Sequence, residues 1–182
     1  MQSSPYSRTA ILLHWLVALL ILAAFTIGLT ATNLGMSPTR LRLINWHKWV
    51  GICILALTLV RLLWRSRHSP PAAHTAPRWQ MHAAALAHAG LYLLCLAMPL
   101  LGWTYSSASG FPVVVFGVIP LPNLVAPDRD IAEVLKTAHR FTGYVLGSLV
   151  LLHVAAALKH HFVSKDGLLS RMNPQHVWRK SV

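Results

Sequence analysis

Residues 138–160 read AHRFTGYVLGSLVLLHVAAALKH, an apolar run that carries a histidine near each end. The run is about as long as the roughly twenty residues that a helix needs to cross the hydrocarbon core of a membrane. His139 and His153 are fourteen residues apart, which corresponds to about 21 Å of helical rise and nearly four turns. Both rings therefore project from one side of a helix, at opposite depths of the membrane.

Three more apolar runs, at about residues 9–31, 47–64 and 83–105, indicate three further spans. The composition agrees, because 55% of the residues are hydrophobic and only 11% are charged, which is too apolar for an ordinary soluble domain. The four spans predict an all-α integral membrane protein, a four-helix bundle in which residues 1–182 form a single membrane domain. Little chain remains for a soluble catalytic domain, so the functional groups are expected within the bundle or at its surfaces.

Loop charges predict the orientation, since Lys and Arg are retained on the cytoplasmic side. The N-terminal segment, the region of the second loop and the C-terminal segment hold ten cations: Arg8, Arg61, Arg65, Arg67, Arg78, Lys159, Lys165, Arg171, Arg179 and Lys180. The first and third loops hold six, Arg40, Arg42, Lys48, Arg129, Lys136 and Arg140, against the three acids Asp128, Asp130 and Glu133. Both termini are therefore expected to be cytoplasmic. Topology and the lipid bilayer account for the net charge of +12, and no nucleic-acid partner is expected.

Five histidines lie within the spans, where ionisable side chains are costly and indicate function: His14, His47, His88, His139 and His153. With both termini inside, His47 and His139 lie near the outer face, and the other three lie near the inner face. The outer depth thus offers one pair, whereas the inner depth offers three histidines for two positions. A lone histidine in a helix bundle is often an interhelical hydrogen bonder, but five that group at two depths predict two stacked metal centres.

Ligand chemistry favours haem as the metal group. Neutral imidazoles without acidic or thiolate partners suit zinc, copper or iron, and paired axial imidazoles suit haem. The sequence has no Cys-x-x-Cys-His motif for covalent attachment, so the haem is expected to be of b type. Tyr6 and Arg8 inside, and Lys48 and Arg140 outside, are candidates to meet haem carboxylates, with ordinary interfacial snorkelling as the alternative for each.

Motifs along nearly the whole chain resemble those of a known family. They are Tyr6-Ser7-Arg8, His14-Trp15-Leu16-Val17, His47 with Gly51 four residues later and Arg61 ending that span, and His139 with His153. This pattern is similar to the bacterial cytochrome b561 family. The run from His153 to His161, followed by Lys165-Asp166 and Arg171-Met172, resembles the superoxide-oxidising members of that family, whereas residues 106–130 match less well.

The resemblance implies a multi-pass, di-haem protein of the bacterial inner membrane that passes electrons between the outer face and quinone near the inner face. It assigns His47 and His139 to an outer haem b, and His14 and His153 to an inner haem b. His88 is then left, with His160 about two turns beyond His153, to hydrogen-bond ubiquinone or relay its protons. An interhelical hydrogen bond for His88 and a simple interfacial position for His160 are the alternatives.

Two functions remain open at this point. The resemblance implies a superoxide:quinone oxidoreductase that oxidises superoxide at the periplasmic side, where Lys48, Arg129 and Arg140 are expected to steer the anion. The alternative is a cytochrome b anchor subunit that links quinone to a separate dehydrogenase or redox protein docked at the outer face. A haem-free transporter has little support, because four spans without broken helices or repeats do not build an alternating-access path.

Overall fold

The computed structural model describes residues 6–68 and 77–175, and four long helices make up most of this part of the chain. They are α1 (Arg8–Asn33), α2 (Pro38–Arg67), α3 (Arg78–Ala108) and α4 (Arg129–Lys159). Each helix is long and apolar enough to cross a membrane. Leu22, Leu93 and Leu151 project outward and are largely exposed, as lipid-facing side chains are. The predicted all-α four-helix membrane bundle is confirmed.

Side-chain caps determine where three of the helices begin. Ser7, Ser37 and Asp128 each accept a hydrogen bond from backbone N–H groups in the first turn of the helix that follows. Pro38 then occupies the first turn of α2, where its missing N–H costs nothing. Because of these caps the helices extend beyond the apolar runs, and α2 begins nine residues before His47.

The helices pack in sequence order, with α1 on α2, α2 on α3 and α3 on α4. The segments outside the helices lie at the two ends of the bundle. We call the end that carries residues 34–37 and 109–128 the loop face, and the end that carries residues 6–7 and 160–175 the terminal face. The first and last described segments meet there, since the indole of Trp15 donates to the carbonyl of Met172 at 2.8 Å. The cytoplasmic location of this face stays a prediction.

Apolar side chains from all four helices fill the middle of the bundle. The buried cluster consists of Val17, Ile21, Ile54, Cys95 and Leu146. Cys95 is a free, buried thiol, in agreement with a packing role. This layer separates the groups at the loop face from those at the terminal face.

A small hairpin closes the loop face. Strands β1 (Val114–Val115) and β2 (Ile119–Pro120) pair antiparallel, and Phe116 and Gly117 make the turn with φ values of 53° and 74°. Val113, at 2% exposure, is buried beneath the hairpin. This apolar segment therefore packs as a cap on the helix ends.

Two tryptophans fasten this cap to the helices. The indole of Trp49 on α2 donates to the carbonyl of Val114 at 2.6 Å, and the indole of Trp103 on α3 donates to the carbonyl of Pro122 at 3.0 Å. The ammonium of Lys48 adds a hydrogen bond to the carbonyl of Phe111 at 3.2 Å. The loop is thus attached to two different helices, and Lys48 is used in that attachment.

Replacing Trp49 by Phe should loosen the cap, because it removes the donor and leaves the Val114 carbonyl without its partner. We expect a loss of about 1 kcal/mol of local stability, measured as faster proteolysis between residues 109 and 128 in detergent. Trp46→Phe is the matched control, since that indole is about half exposed on the same helix. Equal cleavage rates in the two variants would contradict the role given to Trp49.

Candidate functional site

The histidine pair at the loop face consists of His47 on α2 and His139 on α4. Their ring centroids are 6.1 Å apart and their planes are inclined by 83°. Nδ1 of His47 donates to the carbonyl of Ala24 at 3.0 Å. A carbonyl can only accept, so Nδ1 carries the proton and Nε2 is left as a ligand nitrogen.

Two helical glycines hold this pair in position. A Cβ on Gly28 of α1 would lie 3.0 Å from Cε1 of His47, and a Cβ on Gly102 of α3 would lie 3.0 Å from Cε1 of His139. Each ring therefore rests directly against the backbone of a neighbouring helix, and a Cβ at either glycine would require the ring to shift. The two glycines orient the two imidazoles.

Three histidines meet near the terminal face. The rings of His14 on α1 and His153 on α4 are 6.3 Å apart, and the ring of His88 on α3 is 5.4 Å from that of His153. The guanidinium of Arg61 on α2 interacts electrostatically with all three and lies 5.2 Å from the centre of the Tyr92 ring. The structure thus brings together all three inner candidates, beside a cation.

Ring separation distinguishes among these contacts. Two bonds of about 2 Å from a metal to imidazole nitrogens, each extended by a ring radius of roughly 1 Å, separate the ring centroids by about 6 Å. The pairs His47–His139 and His14–His153, at 6.1 and 6.3 Å, match that separation, and the 5.4 Å of His88–His153 is shorter. Edge-to-face aromatic pairs span the same range, so the distance needs a second observation.

That second observation is the space between the helices. The loop-face pair joins α2 to α4 and the terminal-face pair joins α1 to α4, and neither combination is among the closely packed helix pairs. Gly51, one turn beyond His47 on the inward side of α2, has no atom within 4 Å of the position that a Cβ would occupy. Each pair therefore spans a gap between helices, as a flat macrocycle requires.

Buried polar atoms without partners point the same way. Nδ1 of His14 and Nε of Arg40 are buried, and neither atom has a hydrogen-bond partner among the described residues. Nδ1 of His139 is also buried without a hydrogen bond of ordinary geometry, although the backbone of Met98 is near enough to interact with the ring. Arg40 precedes His47 by seven residues, so its side chain leaves the same side of α2.

The donor set also restricts the kind of metal group. Within residues 6–68 and 77–175, no group of three or more His, Cys, Asp or Glu side chains is arranged to bind a bare metal ion. Zinc and copper sites in proteins need three or four such ligands. Two facing imidazoles suffice only where the metal brings further ligands with it, and haem does so. The residues present fit haem.

His160 lies apart from the other predicted site residues. Its Nδ1 is 2.5 Å from Oδ2 of Asp166, in the segment that follows α4. Asp166 belongs to one of the motifs that carry the family resemblance, but its position in the sequence predicted no role for it. Arg40, Gly28 and Gly102 were likewise given no role, although the seven-residue spacing from Arg40 to His47 is a signal that helical periodicity provides.

Four membrane-spanning helices with facing imidazoles near both ends define an integral membrane protein whose interior can accommodate a metal cofactor. Residues 5–175 match the family model described as prokaryotic cytochrome b561. The chain belongs to that family. It is a multi-pass bacterial membrane protein of electron transfer, and it binds b-type haem.

Individual relatives agree in length as well as in sequence. Cytochrome b561 homolog 1 of Escherichia coli is 34% identical over 174 residues, which cover 93% of this chain and 97% of that protein. The probable superoxide oxidase CybB of Yersinia pestis is 33% identical over 177 residues, 93% of this chain and 96% of the relative. Cytochrome b562 of Cereibacter sphaeroides is 31% identical over 177 residues, 94% and 96% of the two chains.

The glycines provide a test of the gap and of the ring supports. Gly51→Ala should leave haem content unchanged, whereas Gly51→Phe should lower it by filling the space between α2 and α4. Gly28→Ala should displace the His47 ring and weaken haem binding by roughly tenfold or more, as changes around metal ligands do. The measurement is the haem-to-protein ratio after purification. Full haem content in the Gly51→Phe variant would show that the space is not the cofactor site.

Proposed function

We propose that the chain binds two b haems, one near each end of the bundle. His47 and His139 would ligate the loop-face haem, and His14 and His153 the terminal-face haem. The ring separations of 6.1 and 6.3 Å and the gaps on either side of α4 support this assignment. When bound, the haems supply one-electron transfer across the membrane.

Arg40 is the side chain that we assign to a carboxylate of the loop-face haem. Its buried Nε has no acceptor among the described residues, and its position two turns before His47 puts it on the loop-face side of the ring pair. A buried N–H group without an acceptor is costly, and a haem carboxylate would supply one. Lys48, one of the two cations expected in this role beside Arg140, is instead hydrogen-bonded to the carbonyl of Phe111.

We assign His88 to the quinone rather than to a haem. Its ring centroid is 5.4 Å from that of His153. This is shorter than the about 6 Å expected for two imidazoles that face each other across one metal, so we place His88 beside the terminal-face pair and not in it. Arg61 and Arg65 interact electrostatically with it, and both guanidiniums face the Tyr92 ring. An imidazole beside two cations is suited to bind a quinone carbonyl while negative charge develops on it. His160 would serve the same quinone.

The overall reaction that we propose is superoxide:quinone oxidoreduction. Two superoxide anions each lose one electron and become dioxygen, and one ubiquinone gains two electrons and two protons and becomes ubiquinol. The observation that carries this proposal is the arrangement of histidine pairs at both ends of one bundle, which separates an electron donor from an acceptor. The likeness to a relative named as a probable superoxide oxidase supports superoxide as the donor.

Charge at the loop face favours an anionic donor. This end carries six cations against three acids. Glu133 is paired with Lys136 at 3.1 Å, and Asp128 accepts two backbone hydrogen bonds at the start of α4. Arg129 and Arg140 are exposed and are the residues that we assign to steering. We further propose that the loop face is periplasmic and that the membrane is the bacterial inner membrane.

The second candidate function is an anchor that exchanges electrons with a separate redox protein or dehydrogenase. The loop-face hairpin favours it, because Phe116, Val118 and Ile119 are each more than half exposed at its tip. A cluster of exposed apolar side chains is typical of a docking surface. Lipid at the membrane interface would cover the same side chains, so their exposure fits both functions. The rate of haem reduction by superoxide distinguishes the two.

Replacement of single histidines should separate ligands from quinone residues. His139→Ala and His47→Ala should each remove one haem, because each haem has its own pair of ligands. His14→Ala and His153→Ala should each remove the other haem, while His88→Ala should keep both and slow quinone reduction. Haem stoichiometry and reduced-minus-oxidised spectra measure this. A single haem in the His88 variant would make His88 an axial ligand.

Superoxide should reduce the haems rapidly, and the rate should fall as ionic strength rises. The Debye length, over which charges act, falls from roughly 30 Å at 0.01 M salt to about 10 Å at 0.1 M, and this weakens electrostatic steering. Arg140→Glu should slow this step several-fold, and Arg78→Glu, an equal charge change at the terminal face, should not. Stopped-flow mixing with a superoxide source, with added dismutase as control, measures the rate. If dismutase leaves the rate unchanged, superoxide is not the donor and the anchor function is favoured.

A further inference from the structure

The chain changes conformation sharply where α4 ends. The helix widens into a π-helical turn at His160–Ser164, a form that is rare and is frequent at functional sites. Lys165 and Gly167 then have positive φ values of 51° and 74°. Non-glycine residues rarely adopt this left-handed conformation. These turns bring Asp166 back to His160, six residues earlier, at 2.5 Å.

The carboxylate of Asp166 is held through both of its oxygens. Oδ2 contacts Nδ1 of His160, and Oδ1 accepts the backbone N–H of Leu168 at 3.0 Å. Partial desolvation raises the pKa of this carboxyl, but the hydrogen bonds from Leu168 and His160 outweigh it, so the pKa lies below its ordinary value. Asp166 is therefore ionised at neutral pH.

The segment that carries Asp166 is fixed to the rest of the bundle. The indole of Trp15 donates to the carbonyl of Met172, and the backbone N–H of Tyr6 donates to the carbonyl of Arg171 at 3.3 Å. The guanidinium of Arg171 is buried and lies 5.6 Å from the centre of the Tyr6 ring. The carboxylate consequently has a defined position relative to α1 and α4.

An ionised carboxylate at Nδ1 determines the protonation of the His160 ring. Nδ1 must carry a proton to donate to it, which leaves Nε2 as the nitrogen that exchanges a proton with another molecule. The same carboxylate fixes the orientation and the tautomer of the ring, as the buried aspartate does in a serine-protease triad. His160 with Asp166 has the composition of a general acid and its orienting group.

The location of this pair suits a lipid-soluble substrate. His160 lies at the end of the apolar span that contains α4, and the neighbouring Phe162 and Val163 are 66% and 74% exposed. A quinone head group that reaches the terminal face from the lipid would meet these side chains. Water at the same face can return a proton to the ring.

We propose that Asp166 is a positioning residue for proton delivery from His160 to quinone, an inference that rests on the quinone reduction proposed above. The Nε2–H bond of the His160 imidazolium breaks and an O–H bond forms on the quinone oxygen. The electrons come from the electron-transfer activity of the protein, and water at the terminal face reprotonates Nε2. Asp166 itself stays ionised and does not touch the quinone.

The test compares Asp166→Asn and Asp166→Glu in the purified haem-loaded protein. Pre-reduced protein is mixed with a short-chain ubiquinone in H2O and in D2O, and haem reoxidation is followed at several quinone concentrations. Asp166→Asn should lower the maximal rate about tenfold or more, within the range of general acid–base effects. Its KM should change little and its solvent isotope effect should rise. Asp166→Glu should restore most of the rate.

Two further variants separate positioning from folding. Ser170→Ala removes a hydrogen bond to the carbonyl of Gly167 within the same segment and should leave the rate and the isotope effect at wild-type values. His160→Gln should be as slow as Asp166→Asn, and the double variant should be no slower than either single one, because the two residues act as a unit. Haem spectra of all variants should match the wild type.

The outcomes distinguish this inference from the proposed function. A wild-type protein that ubiquinone does not oxidise would remove the proposed function and the inference with it. A wild type that is oxidised normally, together with an Asp166→Asn variant of equal rate and equal isotope effect, would overturn the inference alone. An equal loss of rate in Ser170→Ala would also overturn the inference, because the effect of Asp166 would then come from holding the segment in place.

Discussion

The rest of the structure depends on the cost of holding imidazoles at membrane depth. Lipid provides no hydrogen-bond partners, so each ring nitrogen must be satisfied by backbone, by another side chain or by a metal. His47 meets this condition through the carbonyl of Ala24 on one nitrogen and faces His139 with the other side of the ring. Because α4 carries a histidine near each end, the same condition recurs at both ends of the bundle.

This constraint explains features that a tightly packed four-helix bundle would not have. α4 packs closely on α3 but leaves space toward α1 and α2, the two helices whose histidines face it. Gly28 and Gly102 allow the rings to rest against helix backbones, and the apolar layer around Ile54 and Leu146 closes the bundle between the two pairs. Contacts between helices are thus few at the depths of the two histidine pairs and more numerous in the apolar layer between them.

Helical periodicity was sufficient to predict much of this arrangement. The length of the apolar runs gave four spans, and the spacing from His139 to His153 placed two histidines on one side of one helix. It left His14 and His88 undecided, because depth does not specify which ring faces His153 at 6.3 Å and which at 5.4 Å. That choice depends on how α1 and α3 are rotated about their axes, which only packing determines.

Other features depend on local backbone geometry that periodicity does not encode. The pairing of His160 with Asp166 needs a π-helical turn and a positive φ at Lys165, and neither has a pattern in the surrounding sequence. Asp166-Gly167 signals a turn but not what the turn brings together. Lys48 was expected to meet a haem carboxylate or to steer superoxide, but the loop folds back so that its ammonium meets the carbonyl of Phe111. Charge and position along the chain placed these residues near opposite ends of the bundle without indicating what they contact.

The most direct test of the account is the number of haems per chain. The purified protein should be quantified by amino-acid analysis, and its haem should be extracted into alkaline pyridine and measured as the reduced haemochrome. Two histidine pairs at two depths predict two b haems for each chain. A ratio of one would show that a pair of facing imidazoles at one end of the bundle does not bind haem, and would contradict the proposal of one haem near each face.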